Sequence, residues 1–364
     1  MAVLLFILIL GILVFVHELG HFAVARWSGV AVEEFGFGFP PRILGFKRGP
    51  TTYSINWIPF GGFVRLQGEQ EDGAQRPDSF VQAPFRKQFA ILIAGVAMNG
   101  LLAWVLLSIT LMAGVSADPA AVPHNAHLRT SAIRVEALVS DGSPAAAAGL
   151  ATGDAVIAVN GQLLASTDQI ISLAQANQYP TLKLEIRHKK TRRSISIVPR
   201  PSGQTPRYGL GIQQVVTIRY PWYVAPWYGL QTGLNMTGQT IAGFGRLVRD
   251  LVTTAKVSSD VTGPVGIAVL TGQIVQYGFI ATLQFMAILS ISLAVVNFLP
   301  LPALDGGRAL FVFIGRVRGR PVDPRIEGTI HTIGFYGLLL LILLLSIRDV
   351  SKFRLLDQVK ALFQ

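Results

Sequence analysis

No cysteine occurs among the 364 residues. That absence excludes thiolate metal sites, thiol nucleophiles and disulfides, so a transition-metal site in this chain has to be made from imidazoles and carboxylates. Compartment is left open. Charge is scarce too: Asp, Glu, Lys and Arg make up 14% of the chain against 51% hydrophobic residues, where soluble proteins average about 25% charged. The composition therefore excludes an ordinary soluble protein and predicts several membrane spans plus an aqueous module. Basic residues outnumber acidic ones by 31 to 20, but without interleaved aromatic stacking motifs. Membrane-flanking charge accounts for that excess, and no nucleic acid partner is expected. The first apolar run has neither a basic leading segment nor a small-residue cleavage site, which argues against a removable signal peptide.

What that run does contain is Phe15-Val16-His17-Glu18-Leu19-Gly20-His21-Phe22. Met1 to Ala25 is otherwise apolar and long enough to cross a bilayer as a helix. Ionisable groups at that depth are expensive to desolvate, so a functional role is the default reading. On a helix His17 and His21 share one face and can reach one ion, while Glu18 is placed beside it as a general base. This is the H-E-x-x-H arrangement of zinc hydrolases.

The remaining organisation follows in chain order. A first span covers 1–27. Residues 28–88 contain strand-like Val30–Val32, Thr52–Trp57 and Gly62–Leu66, punctuated by Gly36-Phe37-Gly38, Pro40-Pro41 and Phe60-Gly61-Gly62. They predict a small antiparallel sheet against the membrane, with an interfacial loop as the alternative. A second span, 89–115, carries Gly95 and Asn99, and a lone Asn there serves most often as interhelical glue. Pro119 and Pro123 mark a linker. Residues 127–201 form a soluble module, with a helix expected at Asp168–Ala176. Its Ser143-Pro144-Ala145, Ala148-Gly149-Leu150, Gly153-Asp154 and Val159-Asn160-Gly161 closely resemble a PDZ domain, a type that binds extended peptide ends by strand addition. Residues 202–277 hold a strand, an aromatic cluster at Tyr220–Tyr223, an amphipathic surface helix over 226–257 and a break at Thr262–Ile267.

A third span, 278–304, ends in Asn297-Phe298-Leu299-Pro300-Leu301-Pro302-Ala303-Leu304-Asp305-Gly306. Two prolines force it to unwind at membrane depth. Asp305, closing that apolar run, is the best-placed carboxylate to complete the metal site. A loop at 305–327, a fourth span at 328–347 with His331 near its start as a terminus residue, and an amphipathic tail at 348–364 finish the chain. The expected fold class is thus a polytopic α-helical membrane protein of about four transmembrane helices, with a membrane-associated β-hairpin region and one α/β PDZ-like domain.

His17-Glu18-x-x-His21 in a first span, Asn297-x-x-Pro300-x-Pro302-x-Leu304-Asp305-Gly306 in a later one and a PDZ-like module between them resemble the site-2 protease family of intramembrane zinc metalloproteases. The likeness covers nearly the whole chain. It is nearest the bacterial RseP-type branch, through Gly36-Phe37-Gly38 and Gly263-Pro264-Val265-Gly266-Ile267. Members of the best-known type carry two PDZ domains where this chain has one, and many relatives have Gly-Pro where Gly95-Val96 stands. The resemblance implies Zn2+ as cofactor, His17, His21 and Asp305 as ligands, Glu18 as catalytic base, and Asn99, Asn297, Gly36, Phe37 and Gly38 as substrate-binding positions. It further implies a transmembrane protein substrate, such as an anti-sigma factor or a remnant signal peptide, and a PDZ ligand peptide or substrate ectodomain as a second partner. A membrane-anchored PDZ receptor or inactive protease relative is the alternative; Glu18, both histidines and Asp305 are all present. The segment from Arg26 to Lys87 holds eight Lys or Arg and that from Asp305 to Glu327 five, which places both on the cytoplasmic side of a bacterial inner membrane. The PDZ-like module and both termini then face outward.

Overall fold

The computed structural model describes residues 2–68, 76–117, 127–138, 143–151, 154–164, 169, 172, 181–188, 191–200, 208–254 and 262–353. The helix expected at Asp168–Ala176, the linker prolines Pro119 and Pro123, the Lys189-Lys190 turn and the tail beyond Phe353 lie outside the described residues, apart from Gln169 and Ser172. The chain divides into two compact units, one of Met1–Ile109 with Pro226–Gln364 and one of Thr110–Ala225.

Four helices in the described residues are long and apolar enough to cross a membrane: α1 (Ala2–Ser28), α2 (Phe85–Ala113), α6 (Phe279–Phe298) and α8 (Pro324–Lys352). Ile9, Leu13, His17, His21 and Ala25 of α1 are all buried. Each is four residues from the next, so they form one stripe along the helix. The histidines therefore lie in the same seam that packs α1 into the protein. Gly20 allows that packing, because a Cβ there would overlap the carbonyl of Ala94 on α2. Along α2, Ala103, Leu106 and Leu107 close against Ala287, Ile291 and Val295 of α6.

The connection after α1 contains two long strands rather than three short ones, β1 (Val32–Arg48) and β2 (Thr51–Leu66). Each bends and pairs more than once. Phe35 faces Val64 on one side and Tyr53 on the other, and Phe46 faces Tyr53 across a hairpin that turns at Gly49. The outer part exposes Leu44, Phe46, Trp57 and Ile58, an apolar surface suited to a bilayer rather than to water.

Three further helices complete this unit. The amphipathic α4 (Ala225–Thr254) lies where a surface helix was expected, and its Pro226 carbonyl accepts a hydrogen bond from Trp104 Nε1 at 2.8 Å. The segment expected as a break at Thr262–Ile267 instead opens a helix, α5 (Pro264–Gln276), because Pro264 occupies its first turn, where a missing N–H costs nothing. The region expected as a loop after Asp305 begins with another, α7 (Asp305–Arg318), closed by Gly319 in the left-handed conformation. Asp305 therefore opens a helix instead of ending one.

The second unit is an antiparallel sheet built from β3 (Val115–Ala117), β4 (His127–Leu138), β5 (Ala155–Val159), β6 (Gln162–Leu163), β7 (Leu182–His188), β8 (Thr191–Ile197) and β9 (Leu210–Arg219). Their order is β3-β9-β4-β5-β7-β8, with β6 beside β5. β9, which the sequence placed after the module, is thus paired within its sheet. The short α3 (Pro144–Ala147) is capped by Ser143 Oγ, which accepts from the Ala146 N–H at 3.2 Å. Asn160 and Gly161 take the positive φ angles of a tight hairpin between β5 and β6. Val156, Val159, Leu182, Leu184, Ile186 and Ile197 form the core.

No side chain caps α5 from within its own chain segment. Asp349 on α8 does so instead: it is fully buried, and Oδ2 accepts from the Gly266 N–H at 2.7 Å. A carboxylate at a helix N-terminus is favoured by both the free N–H groups and the helix dipole. Asp349→Ala leaves that donor buried and unpaired and should destabilise the protein by about 1–3 kcal/mol. Thermal unfolding in detergent should show the loss, with Asp349→Asn, which keeps an acceptor, closer to the parent.

Candidate active site

His17, with His21 beside it, approaches Asp305 across 288 residues of chain separation. His17 Nε2 lies 2.9 Å and His21 Nε2 3.3 Å from Asp305 Oδ2, and the two Nε2 atoms are 3.1 Å apart. Both histidines are buried, and Asp305 is partly so. A zinc ion with ligand bonds near 2.0–2.2 Å sets tetrahedral ligands about 3.3 Å from one another, which is the spacing these three atoms already have. The residues therefore fit the metal by donor type and by position.

The backs of the two rings fit as well. His21 Nδ1–H donates to the Ile91 carbonyl at 2.7 Å, which leaves the Nε2 lone pair facing the cluster. His17 Nδ1 lies 3.2 Å from the side-chain amide of Asn99, whose Oδ1 is buried without a partner in this orientation. The oxygen and nitrogen of an amide are distinguished by their hydrogen bonds. Turning this one over pairs Oδ1 with His17 Nδ1–H, again freeing Nε2, and moves the unpaired position to the amide N–H. Asn99, expected among the substrate-binding positions, is fully buried and has His17 as its neighbour.

Glycines make room for this cluster. A Cβ on Gly95 would overlap His21 Nε2 and stand 2.6 Å from His17 Cε1. Gly95 is one helical turn from Asn99, so the α2 face against the histidines is a hydrogen atom at one level and an amide at the next. Sequence reasoning noted both residues without linking them to the histidines; their spacing of four was the available signal.

Asp305 is delivered by the unwound segment Leu299–Leu304. Buried backbone donors in such a segment must all find partners. Leu299 N–H bonds to Val295, Leu301 to Leu299 and Leu304 to Leu301, while Pro300 and Pro302 have no N–H to satisfy. The remaining donor, Ala303 N–H, bonds at 2.8 Å to His331 Nδ1 of α8. Ala303 has φ +73°, a conformation that costs an L residue roughly 1–2 kcal/mol. Gly306 and Gly307 let the segment fold back, since a Cβ on either would overlap the carbonyls of Leu299 or Leu301. His331, expected as a plain terminus residue, is thus part of the structure behind Asp305. No local sequence pattern announces that contact.

Glu18 is half-buried beside His17, and a Cβ on Gly62 of β2 would lie 3.6 Å from its Cγ. Of the other expected substrate-binding positions, Gly36 and Gly38 are packed inside β1: a Cβ on Gly36 would overlap the Phe63 ring, and Asn56 Nδ2 donates to the Gly38 carbonyl at 3.0 Å. Phe37 is exposed and meets the Phe15 ring of α1 edge-on, with 5.9 Å between centroids. Asn297 is half-buried, next to the last residue of α6.

Residues 5–341 match peptidase family M50. Similar proteins include a provisionally named zinc metalloprotease of Clostridium acetobutylicum, 33% identical over 344 residues, or 94% of this chain and 96% of that one. The zinc metalloprotease RasP of Geobacillus kaustophilus is 32% identical over 432 aligned positions, covering 96% of this chain and 97% of the relative. The regulator of sigma-W protease RasP of Bacillus subtilis is 29% identical over 439 positions, 96% of this chain and 98% of that protein. With the match spanning nearly its whole length and four apolar helices of membrane-crossing size, the chain belongs to peptidase family M50 and is a multi-pass intramembrane zinc metalloprotease.

Proposed function

We propose that His17, His21 and Asp305 hold the zinc ion, that Glu18 is the general base, and that the protein cleaves transmembrane segments already shortened by another protease. The observation that carries this reading is the convergence of three ligand atoms from α1 and α7 on one point, with Glu18 on the adjacent face of α1. Zinc bound there supplies a Lewis acid that acidifies water and polarises a carbonyl. Glu18 takes the proton from the attacking water and returns it to the leaving amine. Water at bilayer depth requires a cavity enclosed by protein, in which the unwound backbone is also tolerated.

A transmembrane helix shields its peptide bonds within its own hydrogen bonds, so the substrate must unwind before it is cut. The Gly61–Leu66 part of β2, whose Gly62 lies against Glu18, is the strand we assign to pair with the extended substrate. Phe37, facing α1 from β1, lines the same approach. We further propose that the unit of Thr110–Ala225 is a PDZ domain acting as a size filter: the Ser143-capped helix and the Asn160-Gly161 hairpin support that assignment. By the basic loops, the metal site lies toward the cytoplasmic side of the bacterial inner membrane, with the PDZ domain outside. The sigma-W regulator among the relatives favours an anti-sigma factor as substrate over remnant signal peptides.

Purified protein should contain about one zinc per chain, and His21→Ala or Asp305→Ala should lose it in metal analysis; unchanged zinc in Asp305→Ala removes that residue from the site. Glu18→Gln should keep normal zinc, since the ligand set does not include it, yet slow cleavage of a membrane-embedded substrate by at least ~100-fold. Substantial turnover by zinc-loaded Glu18→Gln, compared with Glu18→Ala, places the base elsewhere. Deleting residues 127–219, which removes β4 to β9 together, should allow substrates with longer ectodomains to be cut. Loss of cleavage of an already shortened substrate by a folded deletion variant contradicts the size filter.

A further inference from the structure

We infer that His331 on α8 is a positioning residue for the metal site, acting by holding Ala303 in the left-handed conformation that sets Asp305 in place. The inference rests on Asp305 being a metal ligand, as proposed above. Of the donors in Leu299–Leu304, Ala303 N–H is the one whose partner is a side chain, and that side chain comes from a different helix. Ala303 is also, with Asn160, one of two non-glycine residues of positive φ in the described chain. The strained residue and its external hydrogen bond coincide two residues before Asp305.

The rest of the contact is built to hold the ring still. Because His331 Nδ1 accepts from an N–H, its ring proton is on Nε2, which is buried and makes no hydrogen bond, Glu327 Oε1 one turn earlier on α8 being 4.0 Å away. The Phe311 ring of α7 packs against the imidazole with 5.5 Å between centroids. One turn later, Gly334 gives the helix its close approach, since a Cβ there would overlap Pro302. His331 and Gly334 lie on one face of α8, so that face presses on the turn at Pro302-Ala303 while α7, which starts at Asp305, is braced by Phe311. Without the acceptor at Nδ1, Ala303 has a part-buried unpaired N–H in a conformation it does not favour, and the turn relaxes. Asp305 then leaves the point where its carboxylate meets both Nε2 atoms.

The test is zinc affinity, measured by chelator competition on the full-length protein in detergent, with the visible spectrum of the Co2+-substituted protein reporting ligand geometry. Asp305→Ala is the reference for a lost ligand. His331→Leu removes the acceptor and should weaken zinc binding about 10- to 100-fold, the range for residues that orient metal ligands, and change the Co2+ spectrum. His331→Asn puts Oδ1 where Nδ1 was and should bind zinc within a few-fold of the parent. Ala303→Gly removes the conformational cost but not the unpaired N–H, so Ala303→Gly/His331→Leu should recover part of the affinity lost by His331→Leu alone. The double variant also keeps the test decisive if His331→Leu does not fold, for the inference requires that it fold and bind. Parental affinity in His331→Leu while Asp305→Ala loses zinc overturns the inference and leaves the metal site standing. A double variant as defective as the single one also overturns it. Zinc retained by Asp305→Ala removes the premise, and the inference with it.

Discussion

His17 and His21 are buried on an apolar helix against Asp305, and the structure is arranged around making that tolerable. An unpaired ionisable group at such depth costs several kcal/mol. Here the groups answer one another: His17, His21 and Asp305 converge within hydrogen-bonding distance, and the remaining nitrogens of both rings have neighbours in Asn99 and Ile91. A cation at their meeting point, as proposed, would turn mutual proximity into attraction, so that the cost of burial becomes the means of holding a metal. The same stripe of α1 that carries the two histidines also carries Ile9, Leu13 and Ala25 into the core. Ligand orientation is thereby coupled to helix packing, and a displacement of α1 against α2 is a displacement of the site.

The approach of Asp305 demands a second concession from the fold. Bringing Asp305 to α1 requires the chain to leave a helix at Phe298 and begin another at Asp305, with an unwound backbone between them. Two prolines lower the number of donors that need partners, two glycines let the segment fold back on itself, and His331 satisfies the donor that local geometry cannot. Each of these residue types has a bland explanation alone. Together they account for every backbone N–H from Leu299 to Leu304.

What was legible in the sequence is what depends on local spacing. The four-residue separation of His17 and His21 within an apolar run, the paired prolines before Asp305 and the four hydrophobic stretches all follow from periodicities of a single helix. Residues that act across the fold were not legible in that way. Gly95 is required because imidazoles from another helix occupy the place of its side chain, and His331 matters because a distant turn offers it an N–H. Helices α5 and α7 were missed for a related reason: their glycines and prolines mark breaks when counted as composition, whereas in position Pro264 opens one helix and Gly306 and Gly307 allow the close start of the other. The two long strands were seen as three short ones because bends at Gly38 and Gly61, both of positive φ, interrupt the alternation without ending the pairing.

The placement of β2 beside Glu18 links chemistry to substrate choice. A strand that bonds to backbone groups reads no particular side chain, so it accepts any segment that can become extended. Discrimination must then arise from how readily a transmembrane helix gives up its own hydrogen bonds, and helix-weakening residues such as glycine and proline lower that barrier by about 1–3 kcal/mol each. If β2 pairs with substrate as proposed, the enzyme would select for instability of the substrate helix rather than for a sequence at the scissile bond. On that proposal a separate device, outside the metal site, decides which membrane proteins reach it, and the size filter proposed for the unit of Thr110–Ala225 would be that device.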